Sequence, residues 1–137
     1  MSRVLVTGGA GFIGSHTTEA LLARGDEVWV LDNFNEFYDP AIKRSNATGL
    51  TDAHLVEGDI RDESCLDALF EEGRFDAVIH LAAMAGVRPS LEDPLLYEDV
   101  NVRGTLLLLE RIRRSPGCRL IFASSSSVYG SNENVPF

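Results

Sequence analysis

The chain has 137 residues, 45% of them hydrophobic and 24% charged, enough for one domain around one core. Its net charge is −9 and its isoelectric point about 4.7, which argues against nucleic acid and anionic membrane as partners, because phosphate contact draws on clustered Lys and Arg. Lys43 is the single lysine beside eleven arginines, so an anionic ligand has to be held by local donors rather than by the overall field. No apolar run approaches the roughly 20 residues of a membrane helix. The first residues enter a strand pattern without a leader, so the expected location is cytoplasmic. Cys65 and Cys118 lack metal-ligand spacing and read as reduced packing thiols; no metal is expected.

Apolar runs alternate with helical periodicity along the whole chain. A first strand is predicted over 3–7, then a helix over 12–24 with Leu21 and Leu22 facing inward and Gly25 as its stop. A second strand covers 27–31 and ends at Asp32. The polar stretch 33–53 reads as a loop with a short helix over 41–47, and a third strand follows over 54–57. Asp62 caps a helix reaching residue 70. The fourth strand, 77–81, is nearly all apolar, as a strand covered on both faces has to be. Asp93-Pro94 opens one long helix to about residue 114, which Pro116-Gly117 breaks, and a fifth strand spans 119–123. Residues 106–109 are four consecutive leucines, too many for one side of a helix, so at least one is expected to face out or meet a partner. The pattern predicts an α/β, Rossmann-type parallel sheet of about five strands in the order 3-2-1-4-5, with helices on both faces. Its ligand crevice is expected where the order switches, between strands one and four.

The candidate site starts at Gly8, Gly11 and Gly14. These glycines follow a strand and open a helix, so backbone can approach a pyrophosphate at the helix N-terminus. Asp32, eighteen residues beyond Gly14, stands at the tip of the second strand, where a carboxylate accepts bonds from both hydroxyls of a ribose. Asn33, not Arg, follows it, which favours NAD over NADP. Asp59 and Ile60 lie past strand three, where they can flank adenine. Leu81, Ala82 and Ala83 follow strand four with small side chains that suit close approach of a ligand.

The segments TGGAGFIGSH (7–16), DNFN (32–35), GDIRD (58–62), HLAA (80–83), NVRGT (101–105) and FASSSSVYG (122–130) resemble the extended short-chain dehydrogenase/reductase family of nucleotide-sugar epimerases and dehydratases. The stretch AAMAGVRPS (82–90), with Asp39-Pro40 upstream, is most similar to UDP-glucuronate 4-epimerases. The resemblance covers the whole chain. It implies an NAD-binding domain over 1–137 and transient oxidation of a sugar C4 hydroxyl. By position it also implies that Gly8, Gly11, Phe12, Ile13 and Gly14 hold the pyrophosphate, and Asp32 and Asn33 the adenosine ribose. Asp59 and Ile60 would then flank adenine, Leu81, Ala82 and Ala83 would line the nicotinamide side, and Asn101 and Ser124 would either contact the cofactor side or support the residues that do. Ser125 is implied as the catalytic hydroxyl, and Arg88 and Ser126 as sugar contacts. His16, His80 and Tyr129 fit the motifs as structural residues, and Leu107 stands where the family usually has a polar residue, which marks it as the leucine expected to face out.

The family's proton shuttle is a Tyr-x-x-x-Lys pair on the helix after strand five. Tyr38, Tyr97 and Tyr129 are followed four residues later by Ile42, Asn101 and Glu133, and Lys43 sits on a distant loop. Against that family pattern the domain is expected to be truncated after strand five, without a sugar-nucleotide domain. The expectation is a chain that binds NAD but does not turn over. Two other readings stand beside it. One is a working epimerase in which a second chain supplies the Tyr-x-x-x-Lys helix and the sugar domain, so that a UDP-glucuronate-like nucleotide sugar is a partner only on complementation. The other is an interaction or structural protein with a relict cofactor loop. Strand five as an edge, with the helix near 94–114, is the expected interface of a homo-oligomer.

Overall fold

A computed structural model describes residues 1–134 and 136; Val135, Phe137 and the side chain of Ser126 lie outside the described residues. Five parallel strands, β1 (Arg3–Thr7), β2 (Glu27–Asp32), β3 (His54–Glu57), β4 (Ala77–His80) and β5 (Arg119–Phe122), form one sheet in the order β3-β2-β1-β4-β5. β1, β2 and β4 are the apolar runs of the sequence and lie at the centre, almost wholly buried, whereas β3 and β5 are edges with Leu55, Ile121 and Phe122 exposed. The register sets Thr7 opposite both Leu31 and His80, so the three central strands end at one level. That common end carries Gly8, Asp32 and Leu81.

Side chains alternate between two cores. On one face, α3 (Glu63–Gly73) and α6 (Thr105–Arg113) cover Leu5, Trp29, Leu31 and Val78 with Leu66, Leu69 and Leu108. On the other, α1 (Phe12–Ala23) lays Leu21 and Leu22 on Val4, Val6 and Val28. Some of the helices begin where the sequence supplies an acidic side-chain cap. Asp39 accepts from Ala41 N–H at 2.9 Å ahead of α2 (Pro40–Thr48), and Asp62 accepts from Ser64 and Cys65 N–H ahead of α3. Buried Arg111 ties α6 to α3 through Asp67, 2.9 Å away, and Glu63.

The long helix predicted over 94–114 is not uniform. A separate short helix, α4 (Val87–Glu92), precedes it, and α5 (Pro94–Glu98) passes into a π-helical segment (Asp99–Gly104) before α6. The wider turn has a local cause. The Asn101 carboxamide is engaged outside the helix, and Gly104 lies so close to Ile60 that an added Cβ would come within 2.7 Å of it. The leucine run is also corrected. Leu107 is half-buried against the core and Leu108 wholly buried, while Leu106 and Leu109 are the ones that face out. α3 runs to Gly73, three residues beyond its expected end.

Candidate functional site

The glycine turn is built by close contacts. Gly8 has φ +70°, and a Cβ there would stand 2.8 Å from Ala82 N; a Cβ on Gly14 would stand 2.2 Å from Gly8 O. Gly8 N–H donates to Leu31 O at 2.7 Å, and Gly11 N–H to Gly8 O at 3.1 Å. Gly11 caps α1 without a side-chain bond, leaving the first-turn N–H groups of Phe12, Ile13 and Gly14 for an outside acceptor. Phe12 and Ile13 are exposed, and Gly11 opens onto a cleft toward the Tyr38 hydroxyl.

The cleft lies at the shared end of β1, β2 and β4. Its lining brings together Gly8, Gly11, Asp32, Asn33, Asp59, Ile60, Leu81, Ala82 and Ala83 of the residues singled out in the sequence. Phe12, Ile13 and Gly14 follow Gly11 as the first turn of α1 and do not themselves line it.

Asp32 is buried. Its Oδ2 accepts from Ala10 N–H at 3.1 Å, and its Oδ1 from Phe34 N–H at 2.9 Å and from Lys43 Nζ at 3.4 Å. Lys43 is buried too; it donates to Asn35 Oδ1 at 2.9 Å and lies 5.2 Å from the Tyr38 ring centre. Burial, and then the charge of Asp32, push the Tyr38 hydroxyl pKa up. From the same face of α2, Asn46 donates to Ala10 O at 2.9 Å, so the Ala10 residue is held through both its N–H and its C=O. Sequence reasoning missed Asn35, Lys43 and Asn46. The available signal was the Asp39-Pro40 helix start, which sets Lys43 and Asn46 three residues apart on one helical face.

At the far wall, Asp59 accepts from Arg61 N–H and Nε (both 2.9 Å), Arg61 Nη2 (2.7 Å) and Asn33 Nδ2 (2.9 Å). Arg61 also bonds Asp99 at 2.9 Å. The hydrogen bond from Arg61 holds the Asp59 carboxyl well below the usual carboxylate range. Its acceptor positions are filled, so Asp59 is not a free group waiting for a base edge.

The wall opposite is braced from beneath. Buried His80 bridges Thr7 Oγ1 (2.6 Å) and Thr105 Oγ1 (3.0 Å), and Thr7 Oγ1 accepts from Ala82 N–H at 3.3 Å. Burial lowers the His80 pKa to about 4, so the imidazole is neutral. Asn101 does not line the cleft. Its Oδ1 accepts from Met84 N–H and its Nδ2 donates to Met84 O, which fixes the segment 81–85. Arg88 lies exposed on α4, and Ser124 and Ser125 are exposed past β5. Ser125 Oγ accepts from Ser127 N–H at the start of a 3₁₀ turn (Ser126–Tyr129). None of these three lines the cleft. The expected contact through Ser126 falls on a side chain outside the described residues. Among the described residues no group of three or more His, Cys, Asp or Glu can hold a metal, and no helix is long and apolar enough to cross a membrane.

A parallel sheet with a glycine turn at its switch point and a buried acid at the next strand tip defines a dinucleotide-binding type of domain. The chain belongs to the GDP-mannose 4,6 dehydratase family, whose model matches residues 5–137. It is 50% identical over 137 residues to UDP-glucuronate 4-epimerase 3 of Arabidopsis thaliana, covering 98% of this chain and 32% of that protein. It is 47% identical over 135 residues to UDP-glucose 4-epimerase of Erwinia amylovora, covering 98% of this chain and 40% of that one. Among solved structures, UDP-glucose-4-epimerase of Stenotrophomonas maltophila with bound NAD and formylated UDP-arabinopyranose superposes with a TM-score of 0.86 at 36% identity, over 100% of this chain and 41% of that chain. The complex of Thermus thermophilus UDP-glucose 4-epimerase with NAD gives 0.80 at 47% identity, over 90% and 37%. The chain thus spans about a third of the length of the curated relatives it matches.

Proposed function

We propose that this chain holds NAD in the cleft, as the cofactor-binding part of a UDP-sugar 4-epimerase, and does not turn over by itself. One observation carries the reading: Gly11, which leads into the uncapped first turn of α1, and buried Asp32 line the same cleft, at the level where β1, β2 and β4 end. The cradle fits the cofactor, since Gly11 lines the cleft without a side chain to fill it, while Gly8 lets the turn pack against Ala82. The N–H groups of Phe12, Ile13 and Gly14 hold the pyrophosphate, Asp32 and Asn33 the adenosine ribose, and Ile60 the adenine. Asp59 acts there through Asn33, whose amide it positions. Leu81, Ala82 and Ala83 form the nicotinamide wall, kept in place by Asn101 and Thr7. Ser124 adds a contact at the end of β5. When bound in a complete enzyme, NAD would supply a hydride acceptor and donor for the sugar C4. Ser125 hydrogen-bonds the reacting sugar oxygen, and Arg88 and Ser126 touch the sugar. The substrate class is UDP-glucuronate, following the relatives at 50% identity.

Mass spectrometry of the denatured chain and calorimetric titration are expected to show NAD binding at one site. An assay of UDP-glucuronate and UDP-galacturonate interconversion is expected to show none for the chain alone. Turnover by the chain alone overturns the second half of the reading, and absence of NAD binding overturns the first. The exposed β5 edge favours a further reading, in which a second chain carrying the Tyr-x-x-x-Lys helix and sugar domain restores turnover on mixing. Leu106 and Leu109, outward on α6, join that edge as the proposed homo-oligomer contact, which light scattering at micromolar concentration tests. The free thiols of Cys65 and Cys118 fit a cytoplasmic location.

A further inference from the structure

We propose that Lys43 is a cofactor-binding residue, and that a carboxylate–ammonium pair, Asp32 with Lys43, reads the adenosine ribose in place of a carboxylate alone. The inference rests on the NAD-binding reading above. A carboxylate offers about four acceptor positions. Ala10 N–H, Phe34 N–H and Lys43 Nζ occupy three of those on Asp32, so one remains for a ribose hydroxyl. A vicinal diol has a second hydroxyl oxygen, and the nearest charged donor is already in place. Lys43 lines the cleft, and its ammonium gives one N–H to Asp32 Oδ1 and one to Asn35 Oδ1. The third is left for a ligand oxygen.

Burial sharpens the point. The side chains of Lys43 and Asp32 are 8% and 3% exposed, and burying an ammonium is costly unless it is paired and used. This is the only lysine of a chain carrying −9, and it lines the cleft proposed for an anionic dinucleotide. α2 delivers it there, with Asp39 as cap and Asn46 clamping the same helix to the glycine turn. Lysine also differs from arginine here, since a compact ammonium fits between Asp32, Asn35 and the Tyr38 ring.

A single lysine gives a single side-chain ammonium signal when the chain is labelled with ¹⁵Nζ-lysine. Titration with NAD is expected to shift that signal and slow its proton exchange. Lys43→Met is expected to weaken NAD binding about tenfold by calorimetry, the scale of one charge-assisted hydrogen bond. If NAD binds the parent chain and the lysine signal does not move, Lys43 only positions Asp32 and the proposal fails. It fails equally if Lys43→Met binds NAD within twofold of the parent. If the parent chain itself takes up no NAD, the underlying reading fails first, and this one with it. The labelled parent chain decides the matter even if Lys43→Met does not fold.

Discussion

The two ends of the parallel sheet's upper rim are built to different standards. At the β1–β2 side, Gly8, Ala10, Asp32, Lys43 and Asn46 are cross-braced through main chain and side chain, and most are buried. At the β5 side, Ser124 and Ser125 stand exposed, and the described bond of the Ser125 hydroxyl is to the turn that follows it. The contrast separates two tasks. Holding a dinucleotide needs fixed backbone donors and a placed charge, and this chain supplies them from its own core. Acting on a sugar needs groups that converge from several elements. Here Arg88, Ser125 and the segment 81–85, to which the proposed function gives that task, do not line a common cleft.

The hardest blow to the braced end is Gly14→Ala. The new Cβ would meet Gly8 O at 2.2 Å and Gly9 Cα at 2.6 Å, both backbone atoms that cannot step aside. NAD affinity is expected to fall more than a hundredfold, with a thermal midpoint lowered by more than about 10 °C, checked by calorimetry and circular dichroism. Next comes Asp32→Ala, which leaves Lys43 buried without its ion-pair partner and frees the N–H groups of Ala10 and Phe34. A loss of about 3–5 kcal/mol of stability is expected in urea unfolding, together with loss of NAD binding. A mild effect from either change would mean that the rim is not braced as described.

Much of this division was legible in the sequence. The strand order, the glycine turn and the acid at the tip of β2 follow from apolar runs, turn glycines and the spacing between them. What stayed hidden depends on contacts between distant segments. The Asp32–Lys43 pair joins residues eleven apart across a polar loop, and no periodicity marks it. The break in the 94–114 helix arises from Asn101 reaching Met84, a demand made by another segment. Leu107 read as the outward leucine because the family has a polar residue there; in this chain it packs against the core and Leu106 and Leu109 face out instead. The Asp59–Arg61 pairing was hidden as well, because nothing in the sequence marks Arg61 as folding back onto the carboxylate two residues before it.

His80 tests the brace beneath the β4 wall by pH. Burial lowers its pKa from 6.5 to about 4, so between those values the unfolded chain binds a proton that the folded chain does not. Stability is therefore expected to fall as pH drops from about 6.5 to 4, by about 3 kcal/mol in all, and to be flat above about 7. The lowered Asp59 carboxyl weakens the fold in a lower window, as pH falls below 3.8, so the two contributions separate. In His80→Gln, the slope of urea-unfolding free energy between pH 6.5 and about 4 is expected to flatten. An unchanged slope would show that the Thr7–His80–Thr105 bridge does not carry the pH response.

The smallest expected effect belongs to Ser125→Ala and is the sharpest check on the comparison. Its hydroxyl caps one exposed 3₁₀ turn, so removing it is expected to change stability by less than about 1 kcal/mol. Because the hydroxyl does not line the cofactor cleft, NAD affinity should stay within twofold of the parent. Any activity restored by a complementing chain should nevertheless fall by about 10²-fold or more, because a proton-handling group acts on the reacting oxygen and not on the cofactor. If Ser125→Ala weakens NAD binding tenfold, the two ends of the rim form one cooperative site, and the separation of holding from acting is wrong.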